Sequence, residues 1–138
     1  MTEDFRPLTI KPIFNDAMIA DMPLYDRFRH AEEMVANRFP REAIKMLTGV
    51  VEDAPENAAA WELLGRAYFA AALLRPAEEA FRRLIELEPT SGWAHVALGL
   101  TLDRQSRHRE GATYHRMAAV LDPDQDRRPR LVAADGRA

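Results

Sequence analysis

Three prolines, Pro55, Pro89 and Pro123, stand 34 residues apart, and each follows an acidic or small residue that closes an apolar helical run. A fixed period of about 20 to 50 residues marks an array of like units, each too small to bury its own apolar face and therefore stacked on the next. At 138 residues the chain has room for one domain of about 100 to 150 residues and for no second, catalytic one. Hydrophobic residues make up 47% and charged residues 30%, enough apolar surface to offset the entropy of ordering the chain. Net charge is −3, and 17 of the 19 basic residues are arginine, a field too weak to attract nucleic acid without a local patch.

Between the first two prolines the chain reads Trp61-x2-Leu64-Gly65-x2-Tyr68, then Ala77-x3-Phe81, then Pro89. This pattern resembles the tetratricopeptide repeat family element by element. Moving the frame forward by 34 residues places Leu98-Gly99 on Leu64-Gly65, Gly111 on Ala77, His115 on Phe81 and Pro123 on Pro89. Moving it back places Ala31 on Gly65, Met34 on Tyr68, Ala43 on Ala77 and Leu47 on Phe81. The first repeat diverges most: Arg27 and His30 stand where the second has Trp61 and Leu64, as in a terminal repeat with one face against something other than a repeat. The resemblance implies an all-α fold, a right-handed α-solenoid of three helix-turn-helix repeats over 24–57, 58–91 and 92–125. An N-terminal arm (1–23) and a mobile tail (126–138) flank them.

The physics of the motif positions agrees with that reading. Gly65, Gly99, Ala77 and Gly111 are small where two helices must cross, and a larger side chain there would cost about 1 to 3 kcal/mol in overpacking. Pro40 and Pro76 suit first turns, where a missing N–H costs nothing, and Asn57 and Ser91 suit N-caps. Helices are predicted near 24–37, 40–53, 58–71, 75–88, 92–105 and 108–121.

The two ends differ from the repeats. Leu8, Ile10, Ile13 and Phe14 lie in a stretch that Pro7 and Pro12 keep extended, and residues 15–22 predict a short helix with Phe14, Met18 and Met22 on one face. Docking of this arm would fold it back on the repeats or hold a second chain. Beyond Pro123 no further capping helix is evident, so the last helix is expected to expose Met117 and Val120 and to invite self-association or a partner helix.

In the family's superhelix the first helix of each repeat lines the concave face. Carried over residue by residue, this implies a partner-binding groove of Tyr25, Phe28, Arg29 and Glu32, of Glu62, Leu63, Arg66 and Phe69, and of Trp93, Val96, Ala97 and Leu100. Family members that clamp the C-terminal carboxylate of chaperones use lysine, asparagine and arginine at places where this chain has Phe28, Glu32, Leu63, Trp93 and Ala97, so no such clamp is expected. Tyr, Phe and Trp dominate binding hot spots, and an apolar peptide or amphipathic helix of another protein is the favoured ligand. The alternative is that these aromatics pack on neighbouring helices or under the arm. Arg104, Arg107, His108 and Arg109, with Arg116 nearby, read as a solvated basic rim, and Glu78–Arg82 and Glu79–Arg83 as surface i,i+4 pairs.

Signatures of catalysis are missing. The chain has no cysteine, which excludes disulfides, thiolate zinc sites and thiol nucleophiles. His108 and His115 are seven residues apart, about 10.5 Å along one helix, too far to share an ion. His95 and His115 replace core aromatics of the second repeat, which suggests a half-buried structural role. Ser91 and Ser106 lie in no glycine-flanked nucleophile turn, and no glycine loop suits a phosphate. Neither a cofactor nor a metal is implied, and the expected function is a non-enzymatic adaptor, or else a self-assembling module. The longest apolar run, Ala67 to Leu74, is far shorter than the roughly 20 residues of a membrane helix, and the start Met-Thr-Glu-Asp is no secretory signal. A soluble, cytoplasmic protein with no membrane contact is expected.

Overall fold

The computed structural model describes residues 13–124. They form α1 (Asp16–Asp21), α2 (Leu24–Ala36), α3 (Pro40–Asp53), α4 (Ala58–Ala70), α5 (Leu74–Leu87), α6 (Gly92–Arg104) and α7 (His108–Leu121). Each predicted helix is present, with ends displaced by no more than one residue. The helices pair as α2 with α3, α4 with α5 and α6 with α7, and the pairs stack as an α-solenoid through α3 on α4 and α5 on α6. The predicted tail, and Leu8 and Ile10 of the arm, lie outside the described residues. Among the described residues no helix is long and apolar enough to cross a membrane.

Local chemistry sets the boundaries. The Asn57 side chain accepts from the Ala60 N–H and the Ser91 hydroxyl from the Ala94 N–H, both at 3.2 Å, so the expected N-caps hold α4 and α6. Pro40 opens α3, and Pro76 falls in the first turn of α5. Each inner turn ends its first helix in the same way. The N–H groups of Phe39, Leu73 and Arg107 bond to the carbonyls of Met34, Tyr68 and Leu102, at 2.7, 2.9 and 3.0 Å. Between them Arg38, Ala72 and Ser106 adopt left-handed φ of 68°, 60° and 61°. This 6→1 closure is the Schellman motif, which favours glycine at its left-handed residue, yet no repeat supplies one. Because Ala72 is exposed, strain there can be measured free of packing. Ala72→Val is expected to destabilise by about 1 to 2 kcal/mol, and Ala72→Gly to leave stability unchanged or a few tenths higher, in urea denaturation.

The core runs through both repeat boundaries. Met46, Leu47 and Val50 of α3 are buried with Ala60, Leu64 and Ala67 of α4, and Phe81 and Leu84 of α5 with Ala94, Ala97 and Leu98 of α6. Phe81 meets the Trp93 ring edge-on at 5.9 Å. It also fills the helix crossing of its own repeat, where a Cβ built on Gly65 would stand 2.5 Å from its ring.

One set of stacking positions changes along the array. Leu47, Val50 and Val51 in the first repeat become Phe81, Leu84 and Ile85 in the second and His115, Ala118 and Ala119 in the third. The terminal face is thus not a bare copy of the apolar stacking face. His115 Nε2 donates to Asp103 Oδ2 at 2.8 Å and His108 Nδ1 to Asp103 Oδ1 at 3.3 Å. Burial would raise the Asp103 carboxyl, but these two histidine bonds outweigh it and hold the group below the usual carboxylate range. No further helix follows α7 among the described residues. Met117 and Val120 are exposed by 46% and 76%, as expected.

The arm folds back on the first repeat. Phe14, Ile19 and Met22, all half-buried, pack on its core, whereas Met18 is 49% exposed, so the inward face of α1 contains Ile19 rather than the expected Met18. Six residues are too few for a periodic pattern to choose between the two. The two unusual residues of the first repeat make the junction: Arg27 Nε donates to the Met22 carbonyl at 2.9 Å while its Nη2 pairs with Asp53 at 3.0 Å, and the His30 ring lies 5.1 Å from that of Phe14.

Candidate functional site

The first helices of the three pairs share one face: α2 touches α4, and Arg104 of α6 lies over the Phe69 ring of α4 at 4.7 Å. A cation over a ring at that distance is attracted by the ring quadrupole, contributing about 0.5 to 1 kcal/mol at an exposed site. The predicted groove residues divide by burial. Leu63, Phe69, Val96 and Ala97 are buried, Leu63, Phe69 and Ala97 of them in the core clusters, and Phe28, Trp93 and Leu100 are half-buried. Tyr25, 70% exposed, and Arg29 and Glu32 stand in solvent. Trp93 is spent partly on Phe81, and Phe28 partly on the first core.

Charge on this face is ordered by repeat. In the 34-residue register Arg29 corresponds to Leu63, Arg66 to Leu100, and Arg104 to Ala70. Each successive arginine therefore lies one helical turn, about 5.4 Å, further along its helix, a diagonal row with one member per repeat. A hydrogen bond to Tyr25, with Glu33 and Glu32 nearby, favours the Arg29 guanidinium and raises its pKa. The Arg66 Nε–H is buried with no hydrogen-bond acceptor among the described residues. Glu62 lies one turn before Arg66; burial pushes its carboxyl up, Arg66 opposes this, and Glu88 adds to it. The face can thus offer aromatic surface and guanidinium donors to a segment that carries carboxylates or free carbonyls.

Both expected i,i+4 pairs differ from a plain surface ion pair. Glu78 is not a solvated member of an i,i+4 pair but is buried, 7% exposed. Arg82 Nε and Nη2 both donate to its Oε2, at 3.0 and 2.7 Å, and Gln105 Nε2 and Arg107 Nη1 donate to its Oε1, at 3.1 and 2.6 Å. Arg82 also donates to the Tyr114 hydroxyl at 2.8 Å, and Arg107 grips Glu110 through two bonds of 2.7 and 2.8 Å. In the basic rim Glu110 and Asp103 hold Arg107 and His108, Arg104 lies over Phe69, and Arg109 and Arg116 are exposed. Arg83, read as a partner of Glu79, pairs with Glu86 at 3.6 Å and donates to the Pro55 carbonyl at 3.3 Å, which also accepts from Trp61 Nε1 at 2.8 Å. Among the described residues no cluster of three or more His, Cys, Asp or Glu side chains is arranged to hold a metal ion. His95 is buried, its Nδ1–H donating to the Ser91 carbonyl at 2.8 Å, the structural role expected of it.

A second concavity lies under the arm. A cleft of about 440 Å³ is lined by Ile13, Phe14 and Ile19 above the buried Met34 and Met46, with Arg41, Glu42 and Lys45 at its mouth. Nothing in the sequence pattern pointed to it, because arm and α3 meet only in the fold.

Comparison with known proteins gives a consistent picture. The model of a family described as tetratricopeptide repeat matches residues 28–90. No curated protein sequence matches the chain significantly. Among solved structures, MamA 41-end from Desulfovibrio magneticus RS-1 superposes with a TM-score of 0.71 at 27% identity, over 75% of this chain and 59% of that one. MamA MSR-1 gives a TM-score of 0.72 at 23% identity over 78% and 63% of the two chains, and MamA AMB-1 0.73 at 23% over the same shares. The chain thus spans less than two thirds of the length of these structures, and at 23% the likeness is one of fold alone.

Proposed function

Because the chain is a tetratricopeptide repeat protein, we propose that it is a non-enzymatic interaction scaffold whose α2–α4–α6 face binds a peptide or amphipathic helix of another protein. The observation that carries this reading is the diagonal of Arg29, Arg66 and Arg104 on this face, with the Arg66 Nε–H buried and unsatisfied. An unpaired buried donor costs about 1 to 3 kcal/mol, a cost that a partner's carboxylate or carbonyl would remove on binding. Tyr25, with its large exposed ring and only two side-chain torsions, adds contact area at low entropic cost.

The test is capture of partners by wild type and by Tyr25→Ala/Arg66→Gln, followed by calorimetry on the captured segment. Leu63 and Phe69 are left intact, since both belong to the core clusters. A loss of affinity of about tenfold or more with an unchanged unfolding midpoint is expected, as for residues at interface hot spots. Equal affinity of the two chains for every captured segment would refute the groove.

A further inference from the structure

The cleft under the arm and the tip of α7 lie at opposite ends of the array, and their chemistries match. The tip carries Met117 and Val120 on one face, at positions where the second repeat has the Arg83–Glu86 ion pair. An apolar pair thus replaces a solvated one on the surface of a helix. Asp122 and Asp124 follow directly, and with Arg116 they leave the tip at net −1. The cleft presents the converse: an accessible apolar lining of Ile13, Phe14 and Ile19 above the buried Met34 and Met46, and the mouth residues Arg41, Glu42 and Lys45 at net +1.

We infer that the α7 tip of one chain docks in the arm cleft of a second copy, with Val120 and Met117 against Ile13, Phe14 and Ile19 and the aspartates facing Arg41 and Lys45. This contact is independent of the groove and needs neither its partner nor its arginines. It is heterologous, since each chain carries one knob and one socket, so the association continues head to tail instead of closing as a symmetric pair. A cleft of about 440 Å³ takes only a few side chains, so the association is expected to be weak, reversible and salt-sensitive.

Sedimentation of the full chain from about 10 μM to 1 mM is expected to show an average mass that climbs with concentration past the dimer and falls on adding salt. Arg41→Glu/Lys45→Glu removes the socket and Met117→Glu/Val120→Glu the knob. All four side chains are exposed, so both variants should fold as wild type does, which circular dichroism and an unchanged unfolding midpoint check. Each variant alone is expected to stay monomeric, and an equimolar mixture to form one-to-one dimers and nothing larger, because only one knob and one socket remain. A wild type that stays monomeric at 1 mM overturns the inference. So does a variant that still associates alone, or a mixture that fails to pair although wild type associates.

Discussion

Gly65→Val is expected to be among the most damaging single substitutions in the chain, removing about 3 kcal/mol or more of stability. A Cβ at residue 65 would stand 2.5, 2.7 and 2.8 Å from three carbons of the Phe81 ring, closer than real side-chain contacts allow. The ring cannot swing aside. Phe81 is fully buried, with Trp93 of the next repeat against one edge, so any displacement passes into the α5–α6 boundary. Glycine inside a helix itself costs about 1 kcal/mol relative to alanine, and Gly65→Ala will recover part of its steric cost through that term. Valine gains less and adds two more atoms to the same space. Guanidinium denaturation of wild type, Gly65→Ala and Gly65→Val checks the order. A valine variant within about 1 kcal/mol of wild type would mean that Phe81 has room to move.

The second large effect belongs to Glu78. Burial alone would raise its carboxyl, but the hydrogen bonds from Arg82, Gln105 and Arg107, together with the Arg82 charge, bring it down to about 2 from 4.5. A carboxyl depressed on folding contributes stability that is complete above its unfolded pKa and is lost as pH falls through the folded one. By linkage, about 3 kcal/mol of stability present above pH 4.5 is lost progressively as pH falls from there toward 2. Glu78→Gln is expected to destabilise at pH 7 by a similar amount. It leaves Arg82 and Arg107 with a neutral acceptor, and the penalty stays below that of a fully buried pair because their side chains are 39% and 29% exposed. The gap between variant and wild type should shrink as pH drops from 4.5 toward 2. Thermal unfolding at several pH values decides the matter, and a gap that stays constant over this range would assign the loss to shape instead of charge.

Much of this architecture is legible in the order of residues, for physical reasons. A 34-residue period with prolines at its ends leaves the helices little freedom, and Asn57, Ser91 and Pro40 mark starts because capping is local chemistry. What the sequence hides is whatever depends on partners far along the chain. Glu78 has an ordinary local neighbour in Arg82, and nothing in that spacing reveals that Gln105 and Arg107 converge on it from the next turn. Arg107 is informative only in hindsight: it stands where the first two repeats have Phe39 and Leu73, so an apolar stop has become a cation. The groove is legible only as a set of positions. Eight residues of α6 are buried, on more than one side of the helix, and periodicity cannot separate the side that meets a partner from the sides that meet α5 and α7.

The shift from Leu47, Val50 and Val51 through Phe81, Leu84 and Ile85 to His115, Ala118 and Ala119 also bears on how units of this kind can be recombined. In a linear array, cooperativity comes from the coupling energy at each boundary more than from the units themselves. A copy of residues 58–91 spliced in after itself would meet large apolar side chains on both sides and melt with the rest. The same copy added after residue 124 would face imidazole and methyl groups, couple weakly, and unfold as a separate transition. Among the described residues the register is repeated three times, and the third copy carries the smallest side chains at these stacking positions.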